Sequence, residues 1–307
     1  MPVALPAFAA WPEHYRVLTA ALAHFEADKR VPGVMLGGSF AGGRPDFYSD
    51  VDLYLIVRDG DFAAVLAEKE RAAAAAGRVL TGFIPDHLGP GGDEMYIAVY
   101  DGPIHADFNY VRRSTLKPHW KLAARAVLKD ADGGLEAVVR ASRGLTPQPP
   151  SPESLNVIHN KFWTWCWYVF GKIARGELWE ALGAVHTIRT LALVPMIAWD
   201  AGLQPEGYRR LESRADERLR GRLAMTVPSP ETVSLYAALQ AEIELFGEIQ
   251  DRVCRRFGVA VDDAAGREIS HAIHKAWQAA QAITPAPRAP RRPARRRASG
   301  RETRRRS

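Results

Sequence analysis

The feature that most constrains the fold is a pair of short apolar segments, 34–36 and 51–57, on either side of a polar loop. Both segments have the β-branched and leucine-rich composition of buried strands. A Gly-Gly-Ser loop (37–39) follows the first, and its small residues let backbone N–H groups approach a ligand. Because alternate side chains of a strand share a face, Asp50 and Asp52 point the same way. The segments therefore predict a strand–loop–strand unit with two neighbouring carboxylates.

The surrounding sequence predicts two helices and two further strands. An amphipathic helix over 12–29 precedes the unit, and an alanine-rich helix over 61–76 follows it. Strands over 95–100 and 104–111 are joined by the turn 101–103, which indicates a hairpin. The order helix, strand, strand, helix, strand, strand predicts an α+β fold, a small mixed β-sheet with helices on one side.

The remainder of the chain predicts a helical bundle and a tail. The proline-rich connector 148–152 cannot continue a helix. We therefore expect a first domain over 1–150, an all-α domain over 151–284 and a disordered Arg/Pro-rich tail over 285–307. Within the second domain, helices are predicted over 154–175, 177–201, 206–224, 230–257 and 263–282.

The net charge of +6 belongs to the tail and not to the folded body. From Arg288 onward there are ten Arg and one Glu, which leaves 31 basic and 34 acidic side chains in the rest of the chain. The net charge therefore says nothing about a nucleic-acid groove in the body. The tail is interpreted as a solvated extension, with weak nucleic-acid or anionic-membrane contact as the alternative.

The cysteine content and hydropathy predict a cytoplasmic protein. Cys166 and Cys254 both lie in apolar helical patterns, which favours buried free thiols over a disulfide or metal site. We expect no apolar run to approach the roughly 18 to 20 residues that span a bilayer. The N-terminus lacks the basic leader of a signal peptide. Nothing in the sequence indicates an oligomeric state.

A third carboxylate changes the interpretation of the acidic pair. Alone, an Asp-x-Asp pattern is more often a turn acid followed by an exposed strand acid. In the last predicted strand, alternation places His105, Asp107 and Asn109 on one face, so Asp107 can approach Asp50 and Asp52 across the sheet. Three carboxylates beside a phosphate-binding loop are the components of two-metal phosphoryl or nucleotidyl transfer. We interpret His105 as a hydrogen-bonded residue of this face.

These motifs resemble the DNA polymerase β-like nucleotidyltransferase superfamily. That superfamily has a Gly-Ser pair, a spacer of about ten residues, Asp-x-Asp, and a separate Asp on a later strand. The segment 37–57 and the Trp-rich segment 155–199 are similar to streptomycin adenylyltransferases and lincosamide nucleotidyltransferases. The resemblance spans roughly residues 12 to 258.

The resemblance implies an enzyme that transfers a nucleoside monophosphate, AMP from ATP, to a hydroxyl of a small molecule such as an aminoglycoside or lincosamide antibiotic. Asp50 and Asp52 would hold two Mg²⁺ ions. Asp107 would complete the metal site or act as the base. Gly38 and Ser39 would bind the β- and γ-phosphates. The helical domain would bind the substrate.

Three further residues are candidates for this site. Many relatives carry Arg-Gly after the Ala of the loop, whereas Gly42 and Gly43 here displace Arg44, so either Arg44 takes that role or nucleotide binding is altered. Glu94 is a candidate base, with a solvated loop residue as the alternative. Lys172 lies where relatives carry a Lys near the triphosphate, with an exposed Lys as the alternative.

Two other functions remain open at this point. The chain could modify a protein, a toxin or a housekeeping partner, although such transferases lack so large a helical domain. It could also be a non-catalytic nucleotide-binding protein whose tail binds RNA.

Overall fold

The computed structural model describes residues 8–89 and 91–283. The chain divides into two compact units, Met1–Pro147 and Gln148–Ser307. The predicted tail over 285–307 lies outside the described residues. The functional assignments of the two predicted domains remain predictions.

The first unit is built on one mixed six-stranded sheet. Its strands are β1 (Gly33–Leu36), β2 (Val51–Val57), β3 (Val79–Phe83), β4 (Met95–Tyr100), β5 (Ile104–Arg112) and β6 (Ala126–Asp130). They are ordered β3-β4-β5-β2-β1-β6. Strands β2 and β5 run parallel, and the other neighbours are antiparallel. The predicted strands β1 and β2 and the predicted hairpin β4–β5 are all present, whereas β3 and β6 were not predicted.

Helices of the first unit cover the sheet. They are α1 (Pro12–Ala27), α2 (Gly38–Ala41), α3 (Phe62–Ala67), α4 (Lys69–Ala75) and α5 (Leu135–Ser142). The apolar faces of α1, α3 and α4 pack on one side of the sheet, with Phe25 and Phe108 in that core. The predicted helix over 61–76 is interrupted at Glu68, whose carboxylate binds Arg30 and Arg71.

The opposite face of the sheet carries a smaller apolar cluster. There Leu135 and Val139 of α5 pack against Met35 of β1 and Ile56 of β2. Helix α5 was not predicted. The α+β class with a small mixed sheet is confirmed, and the main helical layer lies on one side of it.

The second unit is helical, as predicted. Its helices are α6 (Pro152–Ala174), α7 (Leu178–Ile188), α8 (Val194–Asp200), α9 (Leu211–Arg214), α10 (Glu217–Met225), α11 (Thr232–Phe257) and α12 (Ala264–Ile283). A π-helical turn, Arg189–Leu193, joins α7 to α8. The predicted helix over 206–224 is divided, because Asp216 caps a new helix by accepting a hydrogen bond from the Leu219 N–H at 2.7 Å.

One helical stretch contains a longer apolar run than the sequence predicted. Leu178–Asp200 is apolar and long enough, by length and composition, to cross a membrane. Of its most apolar window, 56% is buried inside the protein. Ile188 and Leu193 of this stretch belong to the core that Phe162 and Phe246 form by stacking with ring centroids 3.7 Å apart. A core helix of a folded protein meets the same length and composition test.

Candidate active site

The parallel pairing of β2 with β5 brings the predicted carboxylates together. Asp52 and Asp107 are direct partners in this register and lie on the same face of the sheet. Asp50 immediately precedes β2, and its Oδ1 lies 2.6 Å from Nδ1 of His105. The other ring nitrogen of His105 lies 3.3 Å from Oδ1 of Asp107. The three carboxylates therefore form one cluster at the beginning of β2.

The carboxylates of the cluster favour the protonated form of His105. The hydrogen bond with Asp50 raises the pKa of His105, and the charges of Asp50, Asp107 and Asp52 add to that effect. Together they outweigh burial, which acts in the opposite direction. His105 is hydrogen-bonded within the site, and a protonated imidazole there is stabilised by the surrounding carboxylates.

The glycine loop lies directly against this cluster. The Gly37 N–H donates to the Asp52 carbonyl at 2.8 Å, which extends the pairing of β1 with β2 to the loop. Gly38 has φ +60°, and a Cβ at this position would lie 1.8 Å from Oδ2 of Asp52. Only glycine therefore combines this backbone conformation with such a close carboxylate. Ser39 follows in the first turn of α2.

The segment that leads to Asp50 is fixed by its own hydrogen bonds. The Asp46 carboxylate accepts from the Tyr48 N–H at 2.9 Å and from the Ser49 hydroxyl at 3.1 Å. The buried side chain of His14 faces the backbone of Ser49, and burial lowers the pKa of His14 more than this contact raises it. The position of Asp50 is thus set by the loop and by α1.

Arg44 closes the turn after α2. Its backbone N–H donates to the Ser39 carbonyl at 3.0 Å, and Gly43 before it has φ +69°. The Arg44 side chain is exposed. The Gly42–Gly43 pair therefore returns the chain to the beginning of α2, where the Arg44 backbone lies beside Ser39.

The structure does not bring Glu94 to the carboxylates. Glu94 precedes β4, and its Oε1 lies 3.9 Å from Nε of Arg112, five residues beyond Asp107 along β5. The β4 residue opposite Asp107 is Ile97. A role for Glu94 as base remains a prediction that this arrangement does not support.

Lys172 lies in the second unit, near the end of α6. Its Nζ is 2.6 Å from Oε2 of Glu177 and 5.2 Å from the centroid of the Tyr168 ring. The hydrogen bond with Glu177 is the main cause that raises the pKa of Lys172, which keeps the ammonium charged. Among the neighbouring aromatic residues, Trp163 is buried and Trp167 is half exposed.

Two residues of the site were missed in the sequence. Arg125, just before β6, places its guanidinium carbon 4.0 Å from the centroid of the Tyr54 ring and donates from Nη2 to the Tyr54 hydroxyl at 2.7 Å. Tyr54 follows Asp52 by two residues, so strand alternation could have found it. No sequence signal could have found Arg125, because its position depends on the unpredicted strand β6.

The chemistry of the cluster suits a hard divalent cation. Within residues 8–89 and 91–283, no three Asp, Glu, His or Cys side chains are arranged so that they could hold a metal ion by themselves. Mg²⁺ in phosphoryl-transfer sites is usually held by one or two carboxylates together with phosphate oxygens and water. Asp52 against the glycine loop and Asp107 beside it provide such a pair.

Comparison with known proteins identifies a family that this chain resembles over most of its length. The family model for streptomycin adenylyltransferase matches residues 14–276. No curated protein sequence matches the chain. Among solved structures, the chain is similar to an aminoglycoside 6-adenyltransferase from Bacillus subtilis, with 16% identity, 85% of this chain and 98% of that chain covered, and a TM-score of 0.43. The family match includes residues of both units and confirms the resemblance that the motifs indicated.

Proposed function

Because the chain belongs to the streptomycin adenylyltransferase family, and is therefore a nucleotidyltransferase, we propose that it transfers AMP from ATP to a hydroxyl of a small antibiotic such as an aminoglycoside or a lincosamide. The observation that carries this proposal is the clustering of Asp50, Asp52 and Asp107 against Gly38. This cluster combines anionic metal ligands with a loop that can bind a phosphate group.

The reaction is an in-line displacement at phosphorus. The acceptor hydroxyl oxygen forms a bond to the α-phosphorus of ATP, the bond from that phosphorus to the bridging oxygen breaks, and pyrophosphate leaves. Asp50, Asp52 and Asp107 would hold two Mg²⁺ ions. When bound, such ions neutralise charge on the phosphates and lower the pKa of the attacking hydroxyl. Asp107, on the same face as Asp52, would be a metal ligand or accept the hydroxyl proton.

The remaining roles concern the nucleotide and the acceptor. The backbone at Gly38 and the Ser39 hydroxyl would bind the β- and γ-phosphates, because Gly38 lies against the Asp52 carboxylate and Ser39 follows it in the first turn of α2. Arg44, whose N–H is bonded to the Ser39 carbonyl, would contribute charge from the adjacent turn. Lys172 of the helical unit would also bind the triphosphate. The helical unit would supply the acceptor site.

Location and further partners are proposed on the sequence alone. We infer a cytoplasmic protein whose Arg-rich tail makes at most weak contact with nucleic acid. Neither inference is needed for the transfer reaction.

Labelled transfer tests this function. The purified protein is incubated with Mg²⁺, ATP labelled at the α-phosphate, and a panel of aminoglycosides and lincosamides, and a labelled antibiotic is expected. The variant Asp50→Asn should abolish transfer while the circular dichroism stays that of the wild type and the melting temperature changes by no more than about 4 °C. The matched control is Asp86→Asn, which replaces an exposed aspartate of the same unit that lies outside the cluster.

Two outcomes contradict the proposal. If the wild type binds nucleotide but labels no member of the panel, the substrate class is wrong, and label on lysate proteins would then indicate a protein-modifying enzyme. If Asp50→Asn remains active, the role assigned to the carboxylates is wrong.

A further inference from the structure

Arg125 lies beside the glycine loop because of the pairing of β6 with β1. Leu36 is opposite Ala126 in this antiparallel register, so Arg125 continues the ladder next to Gly37. A Cβ at Gly37 would lie only 1.9 Å from Nη1 of Arg125. A Cβ at the neighbouring residue, Gly38, would lie 1.8 Å from Oδ2 of Asp52. Consecutive Cα atoms are about 3.8 Å apart. The Arg125 guanidinium and the Asp52 carboxylate therefore contact adjacent residues of the same loop.

Neutral contacts hold the Arg125 guanidinium in place. It stacks on the Tyr54 ring, and its Nη2 donates to the Tyr54 hydroxyl. Tyr54 projects from β2 on the same face as Asp52, because the two residues are separated by one position. The stack orients the guanidinium without neutralising its charge, and a side chain oriented in advance loses less entropy when it binds a ligand.

The hydrogen bonding of Arg125 is incomplete in the described part of the chain. Its Nε is buried and has no hydrogen-bond acceptor among those residues. Buried donors without a partner are rare in folded proteins, and a guanidinium placed only for stability would be expected to have this donor satisfied. The arrangement instead directs Nη1 toward Gly37, at the loop that would receive the nucleotide phosphates.

We propose that Arg125 binds the triphosphate of the nucleotide, with Nη1 contacting the β- or γ-phosphate at the Gly37–Ser39 loop. A guanidinium forms strong, directional hydrogen bonds with phosphate oxygens. Arg125 would thus balance the negative charge of the group that leaves as pyrophosphate. This inference rests on the proposed function, since it assigns a further binding residue to the same site.

The test measures binding of three ligands to the full-length protein by calorimetry in the presence of Mg²⁺: ATP, pyrophosphate and AMP. The variant Arg125→Met keeps the unbranched apolar stem of the side chain and removes the charged guanidinium. We expect ATP and pyrophosphate to bind about 10- to 100-fold more weakly, as for the loss of a charged hydrogen bond, and AMP to bind as in the wild type. The exposed Arg143 provides the control variant Arg143→Met, for which no ligand should change.

The selectivity of the effect separates binding from support of the fold. A purely structural role for Arg125 would weaken all three ligands together or leave all three unchanged, and either result overturns the proposal. If Arg125→Met does not fold, Arg125→Lys serves instead, with a raised KM for ATP and an unchanged KM for the acceptor as the expected result. A wild-type protein that binds no nucleoside triphosphate would instead refute the proposed function itself.

Discussion

Nδ1 of His105 lies 2.6 Å from Oδ1 of Asp50, on the face of the sheet that also carries Asp107. His105 thereby connects Asp50, which precedes β2, with Asp107 on β5. In the protein without metal, a protonated imidazole between two carboxylates offsets part of their mutual repulsion.

This contact predicts a pH-dependent stability. The pKa of His105 is raised by the hydrogen bond with Asp50, so its contribution is fully present below about pH 6.5 and is lost as the pH rises through the higher folded-state pKa. In EDTA, His105→Gln should therefore reduce the free energy of unfolding more at pH 6 than at pH 9. Both side chains are about two-fifths exposed, so the effect should be at most about 1 kcal/mol.

Urea unfolding at the two pH values measures this difference. The control is His271→Gln, which replaces an exposed histidine of the helical unit. An equal loss of stability at both pH values would show that His105 acts through packing alone.

A second prediction concerns Gly38. Gly38→Ala places a methyl group 1.8 Å from Oδ2 of Asp52, in a backbone region that costs a residue with a Cβ about 1 to 2 kcal/mol. Asp52 must move, and a displacement of about 1 Å in such a site reduces the rate roughly 100-fold. The measurement is kcat for antibiotic adenylylation together with the melting temperature.

Gly43→Ala is a closely matched control for this variant. Gly43 also has a left-handed backbone, with φ +69°, but among the described residues no atom beyond its chain neighbours lies within 4 Å of the position that a Cβ would take there. Gly43→Ala should therefore lower the free energy of unfolding about as much as Gly38→Ala does, with little loss of kcat. Similar kcat values for the two variants would mean that the contact with Asp52 is not important.

The sequence predicted the centre of the first unit because its local signals are strong there. Strands β1 and β2 are short apolar runs beside a glycine loop, and β4 and β5 form a hairpin around Gly102. Alternation along β2 and β5 correctly placed Asp52 and Asp107 on one face, and the register between the strands then made them direct partners. The shared face follows from residue spacing, whereas the register required the folded structure.

The missed elements depend on contacts that are distant in sequence. In β6, Lys129 interrupts the apolar pattern, and its Nζ donates to the carbonyls of Phe25 and Asp28 at the end of α1. Asp130 accepts from the Leu135 N–H at 2.9 Å and so connects β6 to α5. These polar residues are typical of a loop until their partners are known. Arg125 was missed for the same reason, since β6 positions it.

A third prediction tests Lys172 against its neighbour Arg175. Both side chains lie 2.6 Å from the Glu177 carboxylate, so either substitution by Met removes one ion pair with the same partner. If Lys172 binds the triphosphate, Lys172→Met should raise the KM for ATP about 10-fold, and Arg175→Met should not. Steady-state kinetics at saturating acceptor provide the comparison, and equal KM values would remove Lys172 from the nucleotide site.

The last prediction concerns Glu242, which is fully buried in the helical unit. Arg189 lies 3.7 Å away, but its Nη1 donates to Thr226, and neither carboxyl oxygen of Glu242 has a hydrogen-bond partner among the described residues. Burial therefore raises the pKa of Glu242 to about 8, more than the attraction of Arg189 lowers it. The folded protein then holds a proton that the unfolded chain releases near pH 4.5.

Stability should accordingly fall as the pH rises from about 4.5 through about 8, because the folded state binds more protons than the unfolded state over that range. Glu242→Gln removes this dependence. The free energy of unfolding of the variant, relative to that of the wild type, should therefore increase by on the order of 3 kcal/mol between pH 5.5 and pH 8.5. Urea unfolding followed by tryptophan fluorescence measures the gain. Glu244→Gln, at an exposed position of the same helix, should show none. A pH-independent difference between Glu242→Gln and the wild type would mean that Arg189 keeps this carboxylate ionised.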